Sequence, residues 1–204
     1  MTQPSPSPVS DRIMTIPNQI TAVRLILSIV VFALIGQQWF FTAMIVFLVA
    51  AATDWVDGYW ARKFSQVSKL GRVFDPFVDK IIICGTFIYL SADPNSEIQP
   101  WMTVVVVGRE LLVTALRGMI EQSGGDFSAT MSGKVKMGFQ CAAVVGTLWL
   151  LAKQADGAGE KEIWLKWITV GLVWLAVLST IQSGVVYVRA AINYWRAPAT
   201  ESES

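Results

Sequence analysis

DWVDGYWARKFSQVSKLGRVFDPFVDK, residues 54–80, carries four aspartates, at positions 54, 57, 75 and 79. Asp54 and Asp57 are three residues apart and share a face of any helix; Asp75 and Asp79, four apart, share a face of a second. Two carboxylate pairs facing each other make an oxygen-rich cage for hard divalent cations. Between the pairs lie Gly58, Arg62 and a short basic segment with Lys63, Lys69 and Arg72. Apolar runs flank the stretch on both sides, so the combination points to phosphate chemistry at a membrane surface.

Composition sets the class. Of 204 residues, 53% are hydrophobic and only 15% charged, well below the roughly 25% of soluble domains. An all-α polytopic membrane protein is expected, with the lipid bilayer as its surroundings. The chain has no histidine, which excludes a histidine general base, a Ser-His-Asp triad and a histidine-ligated metal. Net charge is +1, and no nucleic-acid partner is expected. Cys84 and Cys141 sit singly inside apolar runs and read as buried thiols rather than a disulfide. Several of the nine tryptophans stand at the ends of apolar runs, where amphipathic rings anchor a helix at the interface.

Residues 1–15 are polar, with three prolines, and read as a disordered tail without a cleavable signal. Six transmembrane spans follow, at about 16–35, 40–60, 73–90, 100–120, 135–151 and 164–192, near or above the roughly 20 residues a bilayer needs. They form one membrane domain, 16–195, with a polar tail over 196–204. Lys and Arg concentrate in the 2–3 connection (Arg62, Lys63, Lys69, Arg72), the 4–5 connection (Arg117, Lys134, with Lys136 just beyond) and the C-terminal end (Arg189, Arg196). The positive-inside rule then puts both termini, and the aspartates at the ends of spans two and three, on the cytoplasmic side. A cell membrane location is expected.

An ionised aspartate inside a membrane costs about 2.5–3.5 kcal/mol on insertion scales. Four in one place are poorly explained by packing. Helix capping or interfacial solvation is the structural alternative, and Asp75-Pro76 does look like an N-cap followed by proline at the first helical position. Metal offers the simplest neutralisation. Two Mg²⁺ or Mn²⁺ ions offset four carboxylates and leave coordination positions for phosphate oxygens.

The spacing reads D-x2-D-G-x2-A-R-x8-G-x3-D-x3-D, through Asp54, Asp57, Gly58, Ala61, Arg62, Gly71, Asp75 and Asp79. This resembles the signature of the CDP-alcohol phosphotransferase family at every defined position, and six spans with the motif across the second and third also resemble that family's architecture. The resemblance implies transfer of a phosphatidyl or related group from a CDP-linked donor to an alcohol, with release of CMP. Carried over by motif position, Asp54, Asp57, Asp75 and Asp79 hold the metals, and Asp79 also acts as general base on the acceptor hydroxyl. Gly58 lets the backbone approach the nucleotide; close helix packing is its alternative. Arg62 reaches a phosphate bidentately; its alternative is an interfacial snorkelling cation. Ser68 falls in the loop where family members contact the nucleotide. Ala61 and Gly71 look like packing or turn positions. A homodimer is expected by analogy with the family.

Span one opens IPNQITAVR, similar to the family's first-span opening, with Asn18, Thr21 and Arg24 at helical spacing on one face. Such a polar face inside an apolar run should point at the bundle interior or a site, and Pro17, Asn18, Gln19, Ile20 and Thr21 are expected near the nucleotide. An interhelical hydrogen bond for Thr21 and snorkelling for Arg24 are the alternatives.

The acceptor is read from the remaining charges. Span four carries Arg109, Glu110 and Arg117, and Lys134 and Lys136 follow in SGKVKMGFQ. Arg109 and Glu110 lie deep enough to need partners. Arg109, Arg117, Lys134 and Lys136 can converge beside the metals as an anion pocket for a phosphorylated acceptor; positive-inside anchoring is the alternative. The R-E-L-x3-A-L-R arrangement followed by G-K-x-K is similar to the branch of the family that takes CDP-diacylglycerol as donor and sn-glycerol 3-phosphate as acceptor. Met137 stands where that branch often has threonine. Inositol phosphate and serine remain open as acceptors. A small ion transporter using the aspartates as a path is a reading of another class, disfavoured because no internal repeat is visible and the charges gather toward one interface.

Overall fold

The computed structural model describes residues 16–64, 69–123, 131–157 and 163–196; at 16–20, 54–64, 69–76, 79, 121 and 131–134 it describes the backbone alone. The expected tails at 1–15 and 197–204 lie outside the described residues. Every regular element among the described residues is helical: α1 (Ile16–Gly36), α2 (Phe40–Phe64), α3 (Lys69–Ser91), α4 (Pro100–Gln122), α5 (Met131–Ala155) and α6 (Ile163–Arg196).

Each helix covers one expected apolar span and most run past its ends. The gains are polar: α2 continues through Ala61, Arg62 and Lys63, and α3 begins at Lys69, four residues before the apolar run. Hydropathy marks what dissolves in lipid, whereas Ala, Arg and Lys extend a helix into the interface because their helix propensity is high. The early start of α3 corrects one expectation. Asp75 lies in the second turn of that helix and does not cap it. Pro76 therefore sits inside α3 rather than at its first position, and its missing N–H deprives the Arg72 carbonyl of its helical partner.

Among the described residues two segments, Val135–Ala155 and Ile163–Arg196, are long and apolar enough to cross a membrane by length and composition. In α2 and α3 the apolar run stops where the aspartate stretch begins, and α4 is interrupted by Arg109, Glu110 and Arg117. Large apolar side chains point outward: Phe41, Val104, Leu111, Trp167 and Leu178 are each more than half exposed. A soluble fold does not present such rows to water, and they suit hydrocarbon.

The chain divides into two compact units, one ending at Tyr89 and the other starting at Leu90. In the first, α1 and α2 join through a tight turn: Trp39 N–H donates to the Leu34 carbonyl and Gln38 N–H to the Ile35 carbonyl, each at 2.9 Å. This is the Schellman pattern, with Gln38 in the left-handed region at φ 63°. So short a turn sends α2 back antiparallel against α1. α3 starts five residues after α2 ends, a reach of at most about 18 Å, so it begins near that end of α2 and returns along α1. Phe32 of α1 stacks on Tyr89 of α3 with ring centroids 5.2 Å apart and planes 10° from parallel. Gly85 leaves room for the same Phe32 ring.

In the second unit α6 packs against both α4 and α5. Trp101 meets Trp174 with centroids 5.7 Å apart, Arg109 meets Ser183, and the Tyr194 hydroxyl donates to the Ser123 carbonyl at 3.3 Å. Those contacts ascend together in number, so α4 and α6 run parallel. Thr169 bonds to Gly146 and Gln140 to Thr180, so α5 runs antiparallel to α6.

Candidate functional site

The four aspartates belong to the first unit. Successive residues of an α-helix are about 100° apart, so the helix ladder fixes where each residue lies around the axis. On α2 the buried stripe runs through Phe40, Ala43, Met44, Phe47 and Ala50. Continued down the same helix, that stripe passes through Asp54, Asp57, Gly58 and Ala61, with Arg62 at its edge. On α3 the buried stripe runs back from Leu90 through Thr86, Ile83, Ile82 and Val78, and its register continues to Asp79 and Asp75. α1 contributes Thr21, Arg24 and Ser28, all buried, on the stripe that also carries Val31 and Ile35. The polar face expected on the first helix is therefore an inward face for Thr21 and Arg24.

Levels along the axes agree as well. From the α1–α2 turn, Thr21 lies about 22 Å back along α1 and Asp54 about 21 Å forward along α2. From the Phe32–Gly85 contact, Thr21 lies about 16 Å toward the start of α1 and Asp75 about 15 Å toward the start of α3. Thr21 on α1, Asp54 on α2 and Asp75 on α3 thus fall at a similar height along their helices. Ser28 and Thr86 return their hydroxyls to their own helices, to the Arg24 carbonyl at 2.8 Å and the Ile82 carbonyl at 2.6 Å. Carboxylates at these positions offer hard oxygen donors, the chemistry that suits Mg²⁺ or Mn²⁺. Pro17, Asn18, Gln19 and Ile20 belong to the first turns of α1, and Ser68 lies outside the described residues.

A cationic cluster occupies the second unit. Arg109 donates from one terminal nitrogen to both oxygens of Glu110, at 3.3 Å each. Its other terminal nitrogen donates to the Ser183 hydroxyl, and its guanidinium lies over the Tyr187 ring, 5.2 Å from the centroid. Gly184 allows this approach, since a Cβ there would stand 3.3 Å from Arg109 Cγ. Lys136 of α5 pairs with the same Glu110 carboxylate. All three charged side chains are more than nine-tenths buried. The Nε–H of Arg109 is buried with no hydrogen-bond partner among the described residues, and so is that of Arg117. A buried donor left unmet is costly unless something meets it.

Of the four cations expected to bind the acceptor, the structure brings Arg109 and Lys136 together through Glu110. Arg117 lies two turns past Glu110, on the same stripe of α4 as buried Val113 and Ile120. Lys134 differs: two residues before Lys136 it lies about 200° away around α5, in register with exposed Gly138 and Trp149. Residues two apart on a helix do not share a face. The partners Ser183, Tyr187, Gln140 and Thr180 were not singled out from sequence. Their signal was present all the same: Gln140, Thr180 and Ser183 are polar residues inside apolar runs and are wholly or almost wholly buried. Gln140 donates to Thr180 at 3.0 Å, tying α5 to α6 one turn from the cluster.

Known proteins resemble this chain over most of its length. The family model described as CDP-alcohol phosphatidyltransferase matches residues 14–182. A protein of Shigella flexneri serotype 5b (strain 8401), named CDP-diacylglycerol–glycerol-3-phosphate 3-phosphatidyltransferase, is 30% identical over 184 residues, 86% of this chain and 94% of that protein. An identically named protein of Escherichia coli (strain K12) matches with the same identity and coverage.

Proposed function

This chain belongs to the CDP-alcohol phosphatidyltransferase family, and we propose that it transfers the phosphatidyl group of CDP-diacylglycerol to sn-glycerol 3-phosphate, giving phosphatidylglycerophosphate and CMP. The relatives bearing that activity in their names are matched over nearly their whole length, which supports the same donor and acceptor. The observation that carries the mechanism is the register of Asp54, Asp57, Asp75 and Asp79, which continues the buried stripes of α2 and α3 at one level.

In the reaction the free primary hydroxyl of glycerol 3-phosphate attacks the phosphorus bonded to diacylglycerol. The new P–O bond forms as the bond to the CMP phosphate breaks, and CMP leaves. Asp79 takes the hydroxyl proton. Asp54, Asp57, Asp75 and Asp79 hold two divalent cations, Mg²⁺ or Mn²⁺. When bound, those ions supply positive charge against the diphosphate. Gly58 admits the nucleotide close to the α2 backbone, and Arg62 and Ser68 contact its phosphates and sugar. Pro17, Asn18, Gln19, Ile20 and Thr21 line the nucleotide from α1. Because carboxylate is a weak base, orientation of the hydroxyl supplies much of the rate.

The acceptor's phosphate is bound by Arg109, Arg117, Lys134 and Lys136. The two unmet Nε–H donors support this role for the arginines, and Lys134 contributes its charge from the opposite side of α5 to Lys136. The six helices are six membrane spans of a cell-membrane enzyme, with the termini and the aspartates on the cytoplasmic side, and the protein is a homodimer. Labelled glycerol 3-phosphate tests the proposal. With CDP-diacylglycerol and Mg²⁺ its label passes into the lipid fraction; label that stays in the aqueous phase while the protein is folded and metal-loaded refutes it.

A further inference from the structure

Glu110 takes no part in the chemistry described so far, yet it stands at the centre of a buried polar cluster. It is buried in α4, and one carboxylate serves two cations from different helices, Arg109 beside it and Lys136 across on α5. Arg109 in turn reaches Ser183 and Tyr187 on α6. A single carboxylate thereby fixes two cationic side chains against three helices. Glu110 engages one terminal nitrogen of Arg109 and leaves its buried Nε–H without a partner among the described residues. Such a donor is costly to bury unless something meets it.

We infer that Glu110 is a positioning residue for the acceptor: it holds Arg109 and Lys136 close together and oriented, with the Nε–H of Arg109 left to meet the phosphate of the incoming alcohol. Like charges held this near each other repel, and Glu110 removes that repulsion in the empty site. It also keeps two long side chains from losing freedom only when the ligand arrives, so the cost of ordering them is met in the fold. The inference rests on the proposed transfer to a phosphorylated acceptor and deepens it. Because Glu110 acts through the cations, it governs acceptor affinity and leaves the donor's binding alone.

Glu110→Gln tests this in the full-length protein in detergent, with CMP release measured while glycerol 3-phosphate and CDP-diacylglycerol are varied separately. The expected result is a KM for glycerol 3-phosphate raised about ten- to a hundredfold, the range in which a misplaced binding group acts, with KM for CDP-diacylglycerol within about twofold of wild type. Lys136→Gln added to Glu110→Gln should cost far less than Lys136→Gln alone, since partners in one network are not additive. A KM for glycerol 3-phosphate that does not move, or both KM values rising together with a falling melting temperature, overturns the positioning role. If Glu110→Gln does not fold, Glu110→Asp carries the test: it keeps the charge, withdraws the carboxylate by one methylene, and should raise the acceptor KM selectively. An unaltered acceptor KM in that variant also overturns it. Wild-type protein in the same assay separates the two failures. Without acceptor-dependent CMP release in wild type the proposed function itself fails; with it, and with unshifted variants, only the role of Glu110 does.

Discussion

Gly85→Ala probes the contact that sets α1 against α3. A Cβ built on Gly85 stands 2.2, 2.7 and 2.9 Å from three atoms of the Phe32 ring, more than an ångström inside ordinary contact at the nearest. The ring has little freedom to retreat, because its other face is stacked on Tyr89. Two effects oppose each other. Alanine in a helix interior gains up to about 1 kcal/mol over glycine in propensity, while overpacking costs about 1–3 kcal/mol. The clash should prevail, for a net loss of up to about 2 kcal/mol. Thermal melting of purified protein in detergent measures it, and the melting temperature of Gly85→Ala should fall. In a Phe32→Ala background the ring is gone, so Gly85→Ala should become neutral or stabilising through its helix propensity. An unchanged or raised melting temperature in the presence of Phe32 refutes the packing account. Activity should fall with stability, because the same contact sets Thr21 and Arg24 level with Asp75 and Asp79.

Other expectations follow from the two sites. Asp79→Asn should lower CMP release about 10²–10⁴-fold, the range of a lost general base, and retained release would remove Asp79 from that role. Chelation by EDTA should abolish turnover, with Mg²⁺ or Mn²⁺ restoring it; turnover that survives chelation contradicts the carboxylate cage. Ser183→Ala withdraws one partner from Arg109 and should raise the acceptor KM about fivefold, corresponding to about 1 kcal/mol; an unchanged value would show that Arg109 holds its place without the Ser183 hydroxyl. Gln140→Leu breaks the bond to Thr180 and should cost about 0.6 kcal/mol, typical of hydrogen bonds between membrane helices, read as a lower melting temperature.

Much of this was legible in the sequence, for reasons that particular residues make plain. Helix existence followed from apolar runs, and four of the six starts fell within one residue of expectation because Pro17, Phe40, Pro100 and Trp164 stand at sharp changes of composition. Where composition changes gradually the ends were missed: Ala61–Phe64 and Lys69–Arg72 are polar helix that lipid solubility does not register. The capping role read for Asp75 failed because a proline usually marks a first turn, and nothing local reveals that α3 tolerates Pro76 in its second turn. The aspartate motif was legible because its spacing is helical within each helix and the stretch between is short. The cationic cluster was legible only in part. Charge alone drew Lys134 and Lys136 together, whereas helical register separates them. The partners that fix Arg109, Ser183 and Tyr187, lie about 75 residues away in sequence, and no local pattern ties them to it.

The most direct test of the whole account is an acceptor panel. Purified wild-type protein in detergent is given CDP-diacylglycerol and Mg²⁺, and CMP release is followed with glycerol 3-phosphate, inositol 1-phosphate, myo-inositol or serine. The account predicts release with glycerol 3-phosphate and none of consequence with the other three. Release driven by inositol 1-phosphate or serine instead, with glycerol 3-phosphate silent, would contradict it.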